Sequence, residues 1–344
     1  MTFTLPRALA ALAFAACAMS APATHAAEEV NIYTTREPGL AQPLFDAFAK
    51  ETGIAVNTVF IEKGLAERVA AEGANSPADV LMTVDYGELI NLVDRGLTQP
   101  IHSVALDAVV PPHLRDPAGH WYALSVRARV IYVSKDRVTD TAMTYESLAD
   151  PKWRGKVCIR SGQHPYNTSL FAAFIAKHGA AAAEDYLTRL KANLARKAGG
   201  GDRDGARDIA AGICEVAVGN SYYVGLMRSG VSGEEQKTWG AAIRVILPTF
   251  DDGAGTHVNI SGAAVAGHAP HRDSALRLME FLVSDAAQKI YADANFEYPV
   301  RLGAPVHPII AAFGELKTDP LPLTEIASHR QAASELVDKT GFDN

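Results

Sequence analysis

Cysteine is scarce in this chain: among 344 residues there are three, Cys17, Cys158 and Cys214. There is no excess of positive charge either, since 32 lysines and arginines face 39 aspartates and glutamates for a net charge of −7. That balance argues against nucleic acid and anionic membrane surfaces as partners, which select clustered cations. Several catalytic signatures are missing. There is no His-Glu-x-x-His zinc pair, no Gly-x-x-x-x-Gly-Lys phosphate loop and no Gly-x-Ser-x-Gly nucleophile elbow. Asp251-Asp252-Gly253 has the composition of a turn, and an EF-hand would need more spaced carboxylates. His257 and the His268/His271 pair read as structural or solvated. After the first 26 residues, no run is long and apolar enough to cross a bilayer.

What is present begins with an export leader. Arg7 supplies a positive start, Ala8 to Met19 a short apolar stretch, and Thr24-His25-Ala26 small residues for cleavage. Residues 1–26 are therefore expected to be a signal peptide and the mature chain to be exported. Cys17 could imitate a lipoprotein acceptor, but Phe14 stands where such sites carry leucine, so a soluble exported protein is expected. Without the leader only Cys158 and Cys214 remain, each in an apolar stretch. They form either one disulfide or two buried thiols.

The mature chain alternates strand and helix patterns. Val30 to Thr34 and Ala55 to Ile61 have the character of strands. Between them Leu40, Leu44, Phe45 and Phe48 have helical spacing, stopped at Gly53. Leu65 to Ala71 follows as helix, Asp79 to Val84 as strand and Gly87 to Arg95 as helix, with Gly96 as its C-cap. Such alternation predicts a parallel sheet covered on both faces. A longer β-type run from Leu124 to Ser134 breaks the rhythm. A second series then runs through strand 156–160, helices near 167–178, 182–192 and 203–211, and strand 214–219. His257 to Ala266 is again a strand, and Asp273 to Val283 an amphipathic helix. Two α/β lobes joined by extended crossings account for both long β-type runs.

The most informative side chains are Tyr222 and Tyr223, which follow Asn220-Ser221 at a strand-to-helix junction. A free phenol keeps its proton to about pH 10, so only a strongly charged cation displaces it near neutrality. On the dipeptide alone, ordinary aromatic packing and ligation of a cation such as ferric iron are both open. Neighbours on a strand face opposite ways, whereas two phenols about 100° apart at a helix start can converge on one ion.

A series of short motifs settles on one family. They are Ile32-Tyr33-Thr34-Thr35-Arg36-Glu37, Gly73 to Leu81, Thr83-Val84-Asp85, Arg127 to Ile131, Tyr166-Asn167, Asn220-Ser221-Tyr222-Tyr223, Gly255 to Gly262 and Glu297-Tyr298-Pro299-Val300. In this order they resemble the periplasmic ferric-iron-binding proteins of ABC importers, of the cyanobacterial type and its proteobacterial relatives. The resemblance implies a two-lobed periplasmic-binding-protein clamshell, each lobe a mixed sheet flanked by helices, joined by crossing β-strands. It implies an N-terminal lobe of residues 27–126 with 256–300 and a C-terminal lobe of 127–255 with 301–344. Fe(III) would bind in the cleft and pass to an inner-membrane permease, with no catalysis and the protein a monomer.

Carried over residue by residue, the resemblance assigns metal ligation to Tyr166, Tyr222 and Tyr223. The first lobe departs from it. Where many relatives carry histidine and tyrosine, this chain has Glu37 and Pro38; proline cannot ligate, while Glu37 is an oxygen donor suited to a hard cation. A second first-lobe position corresponds to Val84, beside which Asp85 and Tyr86 are the remaining oxygen donors. Three phenolates balance Fe(III) and leave positions for an anion. Arg127, Ser161, Gly162 and Asn220 match the elements that hold it, since a guanidinium fork and backbone amides suit an oxyanion. Arg129 reads either as a further anion contact or as an ion pair of the crossing strand. Carbonate is the expected anion, with oxalate, citrate or phosphate as alternatives. The competing functions are a clamshell for an organic or phosphorylated solute and a periplasmic hydrolase.

Overall fold

The computed structural model describes Met1, Thr2 and residues 28–344. The leader expectations, from Arg7 through Cys17 to Ala26, lie outside the described residues. Ten strands form one mixed sheet: β1 (Glu29–Thr34), β2 (Ala55–Phe60), β3 (Val80–Thr83), β4 (Thr98–Gln99), β5 (Trp121–Ser134), β6 (Val157–Cys158), β7 (Val216–Asn220), β8 (Ile243–Ile246), β9 (Val258–Ala266) and β10 (Tyr298–Pro299). Before β5 come helices α1 (Pro38–Thr52), α2 (Leu65–Glu72), α3 (Tyr86–Asp94) and α4 (Val104–Val109). After it come α5 (Pro165–His178), α6 (Ala180–Ala192), α7 (Asp202–Ala210), α8 (Ser221–Ser229), α9 (Glu234–Ala242), α10 (Arg272–Leu282), α11 (Asp285–Asn295), α12 (Pro308–Ala311), α13 (Leu323–Ser328) and α14 (Arg330–Lys339). None is long and apolar enough to cross a membrane.

The main path through the sheet is β2-β1-β3-β9-β5-β7-β6. β1 pairs in parallel with β2 and β3, as strand–helix alternation requires, and β9 then runs antiparallel to β3 and β5. All 14 residues of β5 are buried, the mark of a strand covered on both faces. Midway, β5 changes partner. Trp121 to Ala128 pair with β9, whereas Arg129 to Val133 pair with β7, Arg129 lying opposite Asn220. Arg127 and Arg129 therefore flank the changeover, and β7 delivers its C-terminal end beside them.

Local chemistry explains the element ends. Pro38 opens α1, where its missing N–H costs nothing. Gly53 closes it in the left-handed region at φ 74° and donates to the Ala49 carbonyl. The Asp85 carboxylate caps α3 by accepting from the Gly87 amide at 2.8 Å. Gly96 closes α3 as expected, just after Arg95: it lies in the left-handed region at φ 66°, its amide donates to the Val93 carbonyl at 2.8 Å and the Leu97 amide to the Leu92 carbonyl at 2.9 Å. The expected strand 156–160 is cut to Val157–Cys158 because the chain leaves the sheet to build the turn before α5. Cys158 and Cys214 form a disulfide with their Cα atoms 5.9 Å apart, which decides the alternative the sequence left open.

Candidate metal centre

β7 ends at Asn220 and α8 starts at Ser221, so Tyr222 and Tyr223 occupy the first helical turn. Their rings lie 4.1 Å apart at 34°. Tyr166 comes from a second helix start. Pro165 opens α5, and His164 caps it by accepting from the Tyr166 amide at 3.2 Å. The His164 ring meets the Tyr166 ring edge-on at 4.6 Å. Tyr166, Tyr222 and Tyr223 are thus half-buried side chains at the N-termini of two helices, where the backbone dipole favours negative charge.

Cations surround this group. The guanidinium carbons of Arg160, Arg127 and Arg129 stand 5.3, 5.8 and 5.8 Å from the centre of the Tyr166 ring, and that of Arg203 stands 5.5 Å from Tyr223. Burial pushes the Tyr222 phenol well above its ordinary range, and the neighbouring Tyr166 and Tyr223 oxygens push it further, with Arg127 opposing. Tyr223 is raised by burial, then by Tyr166 and Asp202. These two phenols hold their protons in the free protein, and a multivalent cation would relieve the mutual repulsion of their anions.

The two arginines of β5 do different work. Arg129 is 2 % exposed and engaged through both terminal nitrogens. It donates to Asp202 at 2.6 Å, Asn220 at 3.0 Å and Asn167 at 2.6 Å. Asp202 also accepts from Arg160 at 3.3 Å and from the Asn220 amide at 2.9 Å. This buried pair ties α5, α7 and β7 together behind the tyrosines, so Arg129 is the ion pair of the crossing strand. Arg127 spends one guanidinium nitrogen on the carbonyls of Val84 and Ile260, the latter at 2.6 Å; burial works against its charge, and Tyr166, then Glu297 and Tyr222, outweigh that and raise its pKa. The side-chain nitrogen of Asn220, whose oxygen accepts from Arg129, and the Ser221 hydroxyl are buried without partners, and buried polar atoms are ordinarily satisfied.

The other expected residues are placed as follows. Ser161 and Gly162 are turned toward Asp343: the Ser161 hydroxyl donates to one carboxylate oxygen and the Gly162 amide to the other at 2.7 Å. Glu37 sits at the start of α1, exposed, without a cap hydrogen bond. Asp85 is bound to Arg330 at 2.7 Å and Asn259 at 2.7 Å. The Tyr86 hydroxyl meets Ser169 at 2.7 Å, which in turn meets His257 at 2.8 Å. Burial holds His257 near a pKa of about 3, so it is a neutral structural histidine. Asp202 escaped the sequence reading; its signal was the Gly199-Gly200-Gly201-Asp202 approach to a helix. Among the described residues no three His, Cys, Asp or Glu side chains form a metal-binding group. The tyrosines are therefore the cluster that chemistry must explain.

Comparison with known proteins points the same way. A family model for bacterial extracellular solute-binding proteins matches residues 75–312. The chain is 41 % identical over 315 residues to iron uptake protein A2 of Synechocystis sp., covering 91 % of this chain and 90 % of that one. Among solved structures, the Bordetella ferric binding protein superposes with a TM-score of 0.89 at 62 % identity, covering 92 % of this chain and 100 % of that one. A Trichodesmium protein (IdiA, FutA) in complex with iron and citrate superposes with a TM-score of 0.87 at 39 % identity, covering 91 % and 99 %.

Proposed function

This chain belongs to the bacterial extracellular solute-binding proteins, and we propose that it is a periplasmic, non-catalytic receptor that captures Fe(III) and hands it to an ABC permease. The observation that carries the reading is the convergence of Tyr166, Tyr222 and Tyr223 at two helix starts among Arg127, Arg129 and Arg160. Three phenolates neutralise a ferric ion, and oxygen donors suit so hard a cation. Arg127 supplies fixed positive charge that lowers the cost of forming them and faces the position of a co-bound anion. The unpartnered Asn220 nitrogen and Ser221 hydroxyl would donate to that anion. In this reading Ser161 and Gly162 serve it only if Asp343 gives way.

Carbonate is the anion we propose. Citrate is a second reading, favoured by the iron and citrate complex of the Trichodesmium relative. We propose that Glu37, which is exposed and free of cap hydrogen bonds, approaches the ion from the first lobe as the lobes close. The proposed lobes are residues 27–126 with 256–300 and 127–255 with 301–344, and the change of partner along β5 at Ala128 to Arg129 supports the division. We further propose that the receptor is a monomer.

The test is optical. Ferric ion added to anion-stripped protein, followed by bicarbonate, should develop a visible tyrosinate-to-iron band that Tyr223→Phe weakens. Protein that stays colourless with either carbonate or citrate would instead favour a clamshell for an organic solute.

A further inference from the structure

The turn 161–163 is built as an anion nest, and this protein fills it with a group of its own. Asp343 Oδ1 accepts from the Gly162 amide at 2.7 Å; Oδ2 accepts from the Ser161 hydroxyl and, at 3.4 Å, from the Gln163 amide. The acceptor arrives from far along the sequence by a defined route. Gly341 follows α14 at φ 58°, a left-handed conformation that favours glycine, and turns the chain back. Phe342 is fully buried, edge-on to Phe171 of α5 at 5.5 Å. A Cβ on Gly162 would come within 2.9 Å of both Phe342 and Val337, so only glycine lets the segment this close.

The nest is wired to the tyrosine cluster. The Asn167 side chain donates to the carbonyls of Arg160 and Ser161 at 2.9 and 3.0 Å and accepts from Arg129 at 2.6 Å. Tyr166 lies between nest and Asn167, its amide held by His164. The conformation of 161–164 therefore fixes where α5 begins and where the Tyr166 phenol points.

We propose that Asp343 is a built-in anion that occupies the Ser161–Gly162–Gln163 nest in place of a free oxyanion and acts as a positioning residue for Tyr166. The proposal rests on the iron-binding reading for its consequence, but not for the nest itself. It implies that the co-bound anion of the metal site is confined to Arg127, Asn220 and Ser221, and that the segment after α14 is part of the binding machinery.

Two measurements on Asp343→Ala test it, in the full-length mature protein at one low, fixed bicarbonate concentration. Ferric affinity should fall about tenfold, the scale of one lost charge-assisted contact, release to a chelator should quicken, and the visible band should shift. Added acetate should restore all three by entering the vacated nest, while Asp343→Glu should retain most of the wild-type behaviour. Separately, calorimetry on iron-free protein should show phosphate binding to Asp343→Ala that the wild type lacks and that Asp343→Ala carrying Ser161→Ala, which loses the hydroxyl donor, weakens several-fold. Wild-type affinity and spectrum in Asp343→Ala, or a loss that neither acetate nor phosphate repairs, would overturn the proposal. If the wild type itself takes up no iron, the functional reading fails, and the phosphate titration still decides the nest.

Discussion

Cys158 and Cys214 are bonded to each other, and each stands eight residues ahead of a tyrosine of the site, Tyr166 and Tyr222 respectively. The bond joins β6 to the start of β7 where the two run parallel. β7 runs directly into the helix start of Tyr222, and β6 reaches that of Tyr166 through the turn before α5. Closing a loop of this length contributes about 4 kcal/mol through the unfolded chain. The double variant Cys158→Ser/Cys214→Ser should lose about that much in denaturant unfolding. Reductant in the unfolding buffer should destabilise the wild type equally and leave the variant unchanged.

Tyr222→Phe and Tyr223→Phe each keep the ring contact at 4.1 Å and remove one oxygen. Folding should be conserved, with melting temperatures near wild type, since burial without deprotonation suits phenylalanine. Ferric affinity should fall by orders of magnitude, read by competition with a chelator. Wild-type affinity in both would remove the pair from the coordination shell.

Arg127 and Arg129 should separate cleanly. Arg129→Met leaves Asp202 buried without its closest cation at 2.6 Å, and breaking a buried pair from one side costs about 3–5 kcal/mol. Chemical denaturation should show that loss even without iron. Arg127→Met breaks no carboxylate pair; it should cost less stability and instead weaken the dependence of iron binding on bicarbonate.

Two pH dependences follow. The raised phenols must lose their protons to bind iron, so iron affinity should drop as pH falls, releasing about one proton per phenolate formed. His257 acts on the fold itself. Its folded pKa lies near 3, below the ordinary value of 6.5, because burial resists its charge. Its contribution is whole above about pH 6.5 and is lost as pH falls toward 3, at about 1.4 kcal/mol per unit. His257→Gln should flatten this slope in iron-free protein, measured by denaturant midpoints across that window.

Much of this architecture was legible because it is local. The apolar spacing of Leu44, Phe45 and Phe48, the continuous run into Ser134 and the Asn220–Ser221 junction each announce their element, and all three are present. The tyrosine cluster came from the family resemblance rather than from spacing. What stayed hidden depends on chain segments that meet only in three dimensions. Asp343 reaches Gly162 across 181 positions, and α4, α9, α11, α12, α13 and α14 were not anticipated. α14 does show helical spacing in its buried Ala333, Leu336 and Val337, but nothing local says that the segment beyond it will fold back onto 161–163. Arg129 and Asp202 were likewise separable from functional charges only once their partner distances were known.

The central claim is that Tyr166, Tyr222 and Tyr223 together hold Fe(III). Diffraction from iron-loaded crystals at the iron absorption edge tests it most directly. The account predicts one anomalous peak bonded to all three phenol oxygens, with an anion between it and Arg127. A peak elsewhere, or one bonded to carboxylates or histidines and not to the three phenols, would contradict it.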